Sequence, residues 1–434
     1  MDDSIDIRTD DAPEEQLLGA AFDRPLSLPG TFPWSVRWLI LLLGTMSALG
    51  PLAIDMYLPA FPTIAAEFHV GVAEVERTLA VYFIGLSLGQ LVYGPASDRF
   101  GRKRPLYFGL IMFIIASAGC ALAASVHQLM AMRLLQALGG CAEMVVARAI
   151  VRDRFDTREA ARVYSSLMLV MGLAPILAPL IGGWLIVHIG WRSIFVVHVL
   201  VASVCLFNVA FFLQESLPPE RRDQNGFMET AALYGRLLGH RTFMGHTLSV
   251  SLMCGGLFAY VGGSPFVIIQ LFGVRPEHFG YYFGLNAAGL ITASQINGRL
   301  AHHFSLTKIL RSALIAAAAA GSVLLFDALT HLGGFAGILM PLFFFVSSLG
   351  FVFPTATSLA LAPHGRNAGN ASAVLGCVQF LLSGLSGMLV SALDNGTAAP
   401  MCGLIAAGGI AAMVINLFMS SSEPEDAVTA VFAE

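Results

Sequence analysis

VYFIGLSLGQLVYGPASDRFGRKRPLYFGLIMFIIASAGCALA, residues 81–123, is two apolar runs joined by a short basic loop. Neither run alternates polar and apolar residues, as a membrane β-strand of about ten residues would. Each run continues for about the twenty residues that a helix needs to cross a bilayer. The loop holds one acid, Asp98, among Arg99, Arg102, Lys103 and Arg104, with Gly94 and Gly101 on either side. The stretch therefore reads as two antiparallel membrane helices turning at one membrane surface, with the turn tightened by glycine.

The rest of the chain follows the same pattern. Of 434 residues, 56% are hydrophobic and 12% charged, and the mean hydropathy is +0.74. A soluble domain is about 25% charged, so the solvent implied here is lipid. Helices and closed barrels alone satisfy their backbone in lipid, and continuous runs select helices. Twelve such segments are predicted, at 36–58, 74–97, 103–123, 127–150, 162–187, 192–214, 243–270, 278–300, 306–328, 334–361, 367–391 and 398–420. The resulting expectation is an all-α membrane protein of twelve helices in two six-helix bundles. Residues 1–34 are expected to form a disordered acidic cytoplasmic tail, 35–214 the N-terminal bundle, 215–242 a cytoplasmic linker, 243–420 the C-terminal bundle and 421–434 a second cytoplasmic tail. The eight acids within the first 33 residues, with no basic start and apolar run, exclude a signal peptide.

Lysine and arginine orient the chain. With the N-terminus cytoplasmic, 20 of the 24 basic residues fall on the cytoplasmic side and 3 on the other, with Arg133 inside a span. Both termini are therefore expected inside a bacterial inner membrane. A shift of 199 positions lays Tyr82 on Tyr281, Gly85 on Gly284 and Asp98 on Asn297. With the six-plus-six layout, this supports two related bundles about a central path. The six cysteines lie in predicted spans without ligand spacing, and no residues group as metal ligands. No metal, no cofactor beyond the proton as coupling ion, and no nucleic acid are expected.

Three constellations carry mechanism. In GPASDRFGRKRP (94–105), an acid held by a basic cluster makes a latch that can close or break. This loop resembles the signature of the major facilitator superfamily, with Gly94, Asp98, Arg99, Gly101, Arg102 and Lys103 in place and Ala96 where leucine is usual. In APILAPLIGG (174–183), Pro175 and Pro179 kink a helix, and Gly182 and Gly183 admit a neighbouring backbone. That segment is similar to the superfamily's antiporter motif, with Ala174 and Ala178 in place of glycine. The similarity implies export rather than uptake.

The third constellation is charge within the membrane, which is functional by default. Asp55 in IDMYLPAFP (54–62) and Arg133 in RLLQALGG (133–140) both fall in the outer third, where a salt bridge or hydrogen bond between them is expected. Glu143 lies deeper on the same helix as Arg133. Helical spacing places Gln136, Gly140, Glu143 and Ala147 on one stripe, expected to face the central cavity. RLLQALGG resembles the superfamily's proton-linked motif, which implies that Arg133 modulates a nearby acid. Asp55 and Glu143 both stand as candidates for the proton carrier.

IDMYLPAFP, LPPERR (217–222) and SPF…PEHFGYYFGLN (264–286) together resemble the bicyclomycin-resistance (Bcr/CflA) branch of the drug:proton antiporters. That resemblance implies proton-driven efflux of small amphipathic drugs by a monomer working by alternating access, with Asp55 the first coupling acid. Candidate cavity residues are Tyr57, Tyr82, Gln136, Phe258, Tyr260, Asn286 and Gln379. The alternatives are an exporter of one metabolite such as an amino acid, nucleoside or siderophore, an uptake symporter, a sensor and a membrane enzyme. The last lacks any HExxH or paired-acid cluster.

Overall fold

The computed structural model describes residues 36–155, 157–222 and 227–419. The two tails predicted at 1–34 and 421–434 lie outside those residues. The described elements are helical: α1 (Val36–Asp55), α2 (Phe61–Phe68), α3 (Val72–Phe100), α4 (Lys103–Ala121), α5 (Val126–Arg154), α6 (Thr157–His188) and α7 (Arg192–Phe211). After the linker come α8 (Phe227–Gly239), α9 (Arg241–Ser264), α10 (Pro276–Leu300), α11 (Leu306–Thr330), α12 (Gly334–Leu361), α13 (Ala368–Ala392) and α14 (Ala399–Met419). Among the described residues, ten helices are long and apolar enough to cross a membrane. The other two spans are α6 and α10, and α10 carries Glu277, Asn286, Gln295, Asn297 and Arg299 along its length.

Phe108, Ile115, Phe211, Phe326 and Phe344 are all more than half exposed, a distribution that suits lipid and not water. Inside, α1 packs on α5, α6 and α7, and α3 and α4 pack on α5. In the second half, α9 packs on α12, α13 and α14, and α11 on α12 and α14. The two bundles meet along α3 with α13 and along α6 with α10. These seams are equivalent under the repeat seen in the sequence, the second span of each half meeting the fifth span of the other. Gly384 and Gly280 allow the close approach: a side chain at Gly384 would press on Ala80 and Ile84, and one at Gly280 on Leu180.

Two local departures from the predicted spans matter. The first span does not end at 58. Pro59 has no N–H to give the Asp55 carbonyl, so α1 stops at Asp55. The chain makes a 3-10 turn at Leu58–Ala60 and resumes as α2 to Phe68. Asp55 is therefore at a break inside the span rather than near its end. In the linker, α8 presents Leu233, Tyr234 and Leu237 to Ala371, Val374 and Leu375 of α13, making the connection a packed amphipathic helix.

Candidate transport site

The helix break turns Asp55 into a cavity of about 270 Å³ between the bundles. Gly50, Pro51, Ile54, Met144 and Pro175 line it from the N-terminal bundle, and Phe258, Tyr260, Phe283, Asn286, Val346 and Phe380 from the C-terminal one. Asp55 is 5% exposed and is the one charged side chain among the described lining residues. The Asn286 amide donates to the Tyr260 hydroxyl at 2.9 Å, and Tyr260 stacks on Phe283 with centroids 5.5 Å apart. The wall is thus apolar and aromatic, with one carboxyl group and one amide–phenol pair, a composition typical of small-molecule sites.

Of the predicted cavity residues, Phe258, Tyr260 and Asn286 reach this wall. Gln379 does not, and its neighbour Phe380 does. Tyr57, Tyr82 and Gln136 are buried within the N-terminal bundle around Arg133. The expected Asp55–Arg133 ion pair is absent among the described residues. The Arg133 guanidinium instead lies 4.6 Å from the Tyr57 ring centroid and 4.2 Å from that of Tyr82, and donates to Gln136 Oε1 at 2.6 Å. Gln136 in turn donates to Ser117 Oγ at 2.8 Å, and Tyr57 bonds Thr78 at 2.8 Å. One residue, Met56, separates Asp55 from Tyr57, and the turn there sends the acid to the cavity and the phenol to the arginine.

Glu143 and its stripe also face inward within the bundle. Gly140 packs on the Phe113 ring, and Glu143 is 1% exposed with neither carboxyl oxygen hydrogen-bonded. The next residue, Met144, reaches the cavity instead. Helical spacing placed Gln136, Gly140, Glu143 and Ala147 on one stripe expected to face the central cavity, but none of them lines it. Spacing could not say which of two apolar surroundings that face meets.

The loop after α3 is built as a network. Arg102 is buried, donates to Asp98 Oδ1 at 2.5 Å and Ser97 Oγ at 3.0 Å, and pairs with Asp153 at 2.7 Å. Burial opposes its charge, but the bonds from Asp153 and Asp98 outweigh that and hold the guanidinium above its ordinary value. Glu215 accepts from the backbone N–H of Arg102 at 2.8 Å and of Lys103 at 3.2 Å. Gly101 has φ +86°, and a side chain there would strike Glu215. Arg99 and Lys103 lie over the rings of Phe100 and Tyr107, and Gly94 faces Ala373 of the other bundle. Asp153 and Glu215 were not anticipated. Each is the first acid after a span, beside a basic loop, a signal visible in the sequence.

Pro175 lines the cavity, while Pro179 continues α6 toward its glycine pair. Gly182 lies against the backbone of Met56, the first residue of the break after Asp55. A side chain at Gly183 would sit 3.0 Å from the Pro276 carbonyl oxygen of α10. The segment therefore fastens α6 to the hinge of the first span and to the opposite bundle.

Two six-helix bundles enclosing a small-molecule cavity define a membrane transporter rather than an enzyme. The sequence profile of the Major Facilitator Superfamily matches residues 41–391, and the chain belongs to that superfamily. It is 38% identical to an uncharacterized MFS-type transporter, YdgK, of Bacillus subtilis, over 84% of this chain and 90% of that one. It is 33% identical to a bicyclomycin resistance protein homolog of Haemophilus influenzae, over 88% and 96% of the two chains. It is 29% identical to the multidrug resistance protein MdtL of Escherichia coli, over 87% and 94%. These relatives support the bicyclomycin-resistance branch read from the sequence. The crystal structure of a D-xylose-proton symporter shares the fold, with a TM-score of 0.71 at 16% identity over 90% of this chain and 99% of that one.

Proposed function

We propose that this protein exports small amphipathic drugs across the bacterial inner membrane in exchange for protons. It works as a monomer without a cofactor, by alternating access about the central cavity, with both termini cytoplasmic. The observation that carries the reading is Asp55 alone among apolar and aromatic walls. A carboxylate so placed needs its charge met, either by a proton or by a cationic or hydrogen-bonding group of the substrate. Those two occupants exclude each other, and exclusion at one acid is the simplest basis for exchange. The relatives named for bicyclomycin and multidrug resistance support drugs as the substrate class. A transmembrane potential adds about 2.3 kcal/mol per charge per 100 mV when a proton exchanges for a neutral drug. Loss of the Arg102–Asp98–Asp153 network would loosen the arginine-rich end, which must close when the opposite end opens.

The test is proton release from detergent-solubilised protein on adding bicyclomycin and a panel of cationic and neutral drugs. Wild type is expected to release protons with its ligands, and Asp55→Asn to bind without release. Glu143→Gln, changed away from the cavity, is expected to behave as wild type. Verified binding without any proton release from wild type overturns the exchange reading. Release lost in Glu143→Gln but kept in Asp55→Asn moves the coupling acid into the N-terminal bundle.

A further inference from the structure

At the end opposite the arginine-rich loops, the first turns of α3 close against the last turns of α13. Arg77 Nε donates to Ser391 Oγ at 2.9 Å, and Ser391 Oγ donates to the Ala73 carbonyl at 2.6 Å. These hydrogen bonds tie one bundle to the other. Beside them is a small cavity shared by the bundles, with Ala73 and Glu76 on one side and Phe266, Val390, Asp394 and Met401 on the other. Glu76 is 6% exposed, and among the described residues its carboxyl group has no hydrogen-bond or ion-pair partner. Asp394 is exposed, accepts from the Gly396 N–H at 3.1 Å, and lines the same small cavity as Glu76 from the opposite bundle.

We propose that Glu76 and Asp394 form a second proton site, separate from the central cavity, whose occupancy sets whether this end of the molecule is closed. With a proton on Glu76, the seam buries a neutral acid beside one exposed carboxylate. With the proton released, a buried carboxylate faces a second one across the seam, and both gain by separating into water. The proton comes from the aqueous phase on that side through Asp394, which is exposed, and returns by the same route. The charged neighbours favour this direction. Arg77, next on the same helix, is turned to Ser391, and the segments around 263–267 and 397–401 bring no charged side chain to the wall. An exporter that takes up protons from outside would thus close its outer end on loading them. This step rests on the export reading, with the arginine-rich loops facing the cytoplasm.

The test places spin labels on Ala66→Cys and Gln270→Cys, two exposed positions at this end, one in each bundle. Distances are measured in lipid nanodiscs across a pH series. In otherwise unaltered protein the distance is expected to lengthen as pH rises. In Glu76→Gln it should stay short throughout, in Asp394→Asn the transition should move to higher pH, and Glu76→Asp should restore the response. Asp55→Asn is expected to keep the pH response while losing drug-linked proton release. A response unchanged in Glu76→Gln, or one abolished by Asp55→Asn instead, overturns the second site and leaves the central exchange reading standing. A distance that does not change with pH in the unaltered protein overturns it as well. If both sites respond yet no drug moves protons, the export reading fails and the gate survives.

Discussion

Arg133 is fully buried, with no carboxylate paired to it among the described residues, and two of its nitrogens lack hydrogen-bond partners. Its charge is met by the faces of Tyr57 and Tyr82 and by the Gln136 amide oxygen. Such cation–ring contacts contribute about 2 kcal/mol or more each when desolvated. A lysine keeps the charge but not the planar stacking or the fixed fork. Arg133→Lys is therefore expected to lower the melting temperature of the purified protein by several degrees, and Arg133→Ala by more, because Gln136 loses its donor as well. Glu143→Gln should fall within about 1 kcal/mol of wild type, since neither oxygen has an ionic partner to lose. Thermal unfolding monitored by fluorescence separates these outcomes. A large loss for Glu143→Gln would mean that its acid is held by a group not bonded to it in this conformation. Asp55, Arg133 and Glu143 could be singled out in the sequence because a charge set deep in an apolar run stands out, whereas Glu76, near a span end, did not. The partners of the first three were not legible. Every face of these helices is apolar, so periodicity gives a direction without saying what lies there, and an arginine can be satisfied by rings as well as by an acid.

At the scale of elements, the break after α1 is the feature on which the site depends. Pro59 creates it by withholding a hydrogen bond from the Asp55 carbonyl, and Gly182 accommodates it by letting α6 lie on Met56. Pro59→Ala restores the donor and allows α1 to run straight into α2. Transport is expected to fall at least tenfold while folding, checked by size-exclusion chromatography, is retained. Gly182→Val should fail at both, because its side chain would overlap the Met56 carbonyl. Full transport by Pro59→Ala would show that the turn is held by packing alone. The positions of the spans were readable because continuous apolar runs have one explanation in a chain this poor in charge. The extension to Phe68 was not, since two prolines and Glu67 look like the end of a span. Nor was α8, whose apolar face is only three residues wide and needs α13 to give it meaning.

At the scale of the molecule, two bundles that exchange access must keep one line of contact while parting at either end. The α3–α13 and α6–α10 seams are the natural axle, since each joins equivalent elements of the two repeats and runs on through midmembrane. Ser87 on α3 donates to the Cys377 carbonyl at 2.9 Å, with its hydroxyl 3.3 Å from the Cys377 sulfur. The Arg77–Ser391–Ala73 bonds lie further along the same seam, at its far end. Rocking predicts different consequences for a covalent tie at each place. A disulfide from Ser87→Cys to the native Cys377 spans the axle, where the helices turn against each other with little separation, and should leave at least half of transport. A disulfide between Ala73→Cys and Ser391→Cys holds one end shut and should abolish transport until reduced. Both are read as drug efflux from proteoliposomes before and after oxidation, with reductant restoring the second. Arrest by the Ser87 tie would mean that α3 and α13 separate along their whole length. The motion would then be a sliding or unzipping of the bundles, and the seam with the two carboxyl groups would open with it rather than act as a gate at one end.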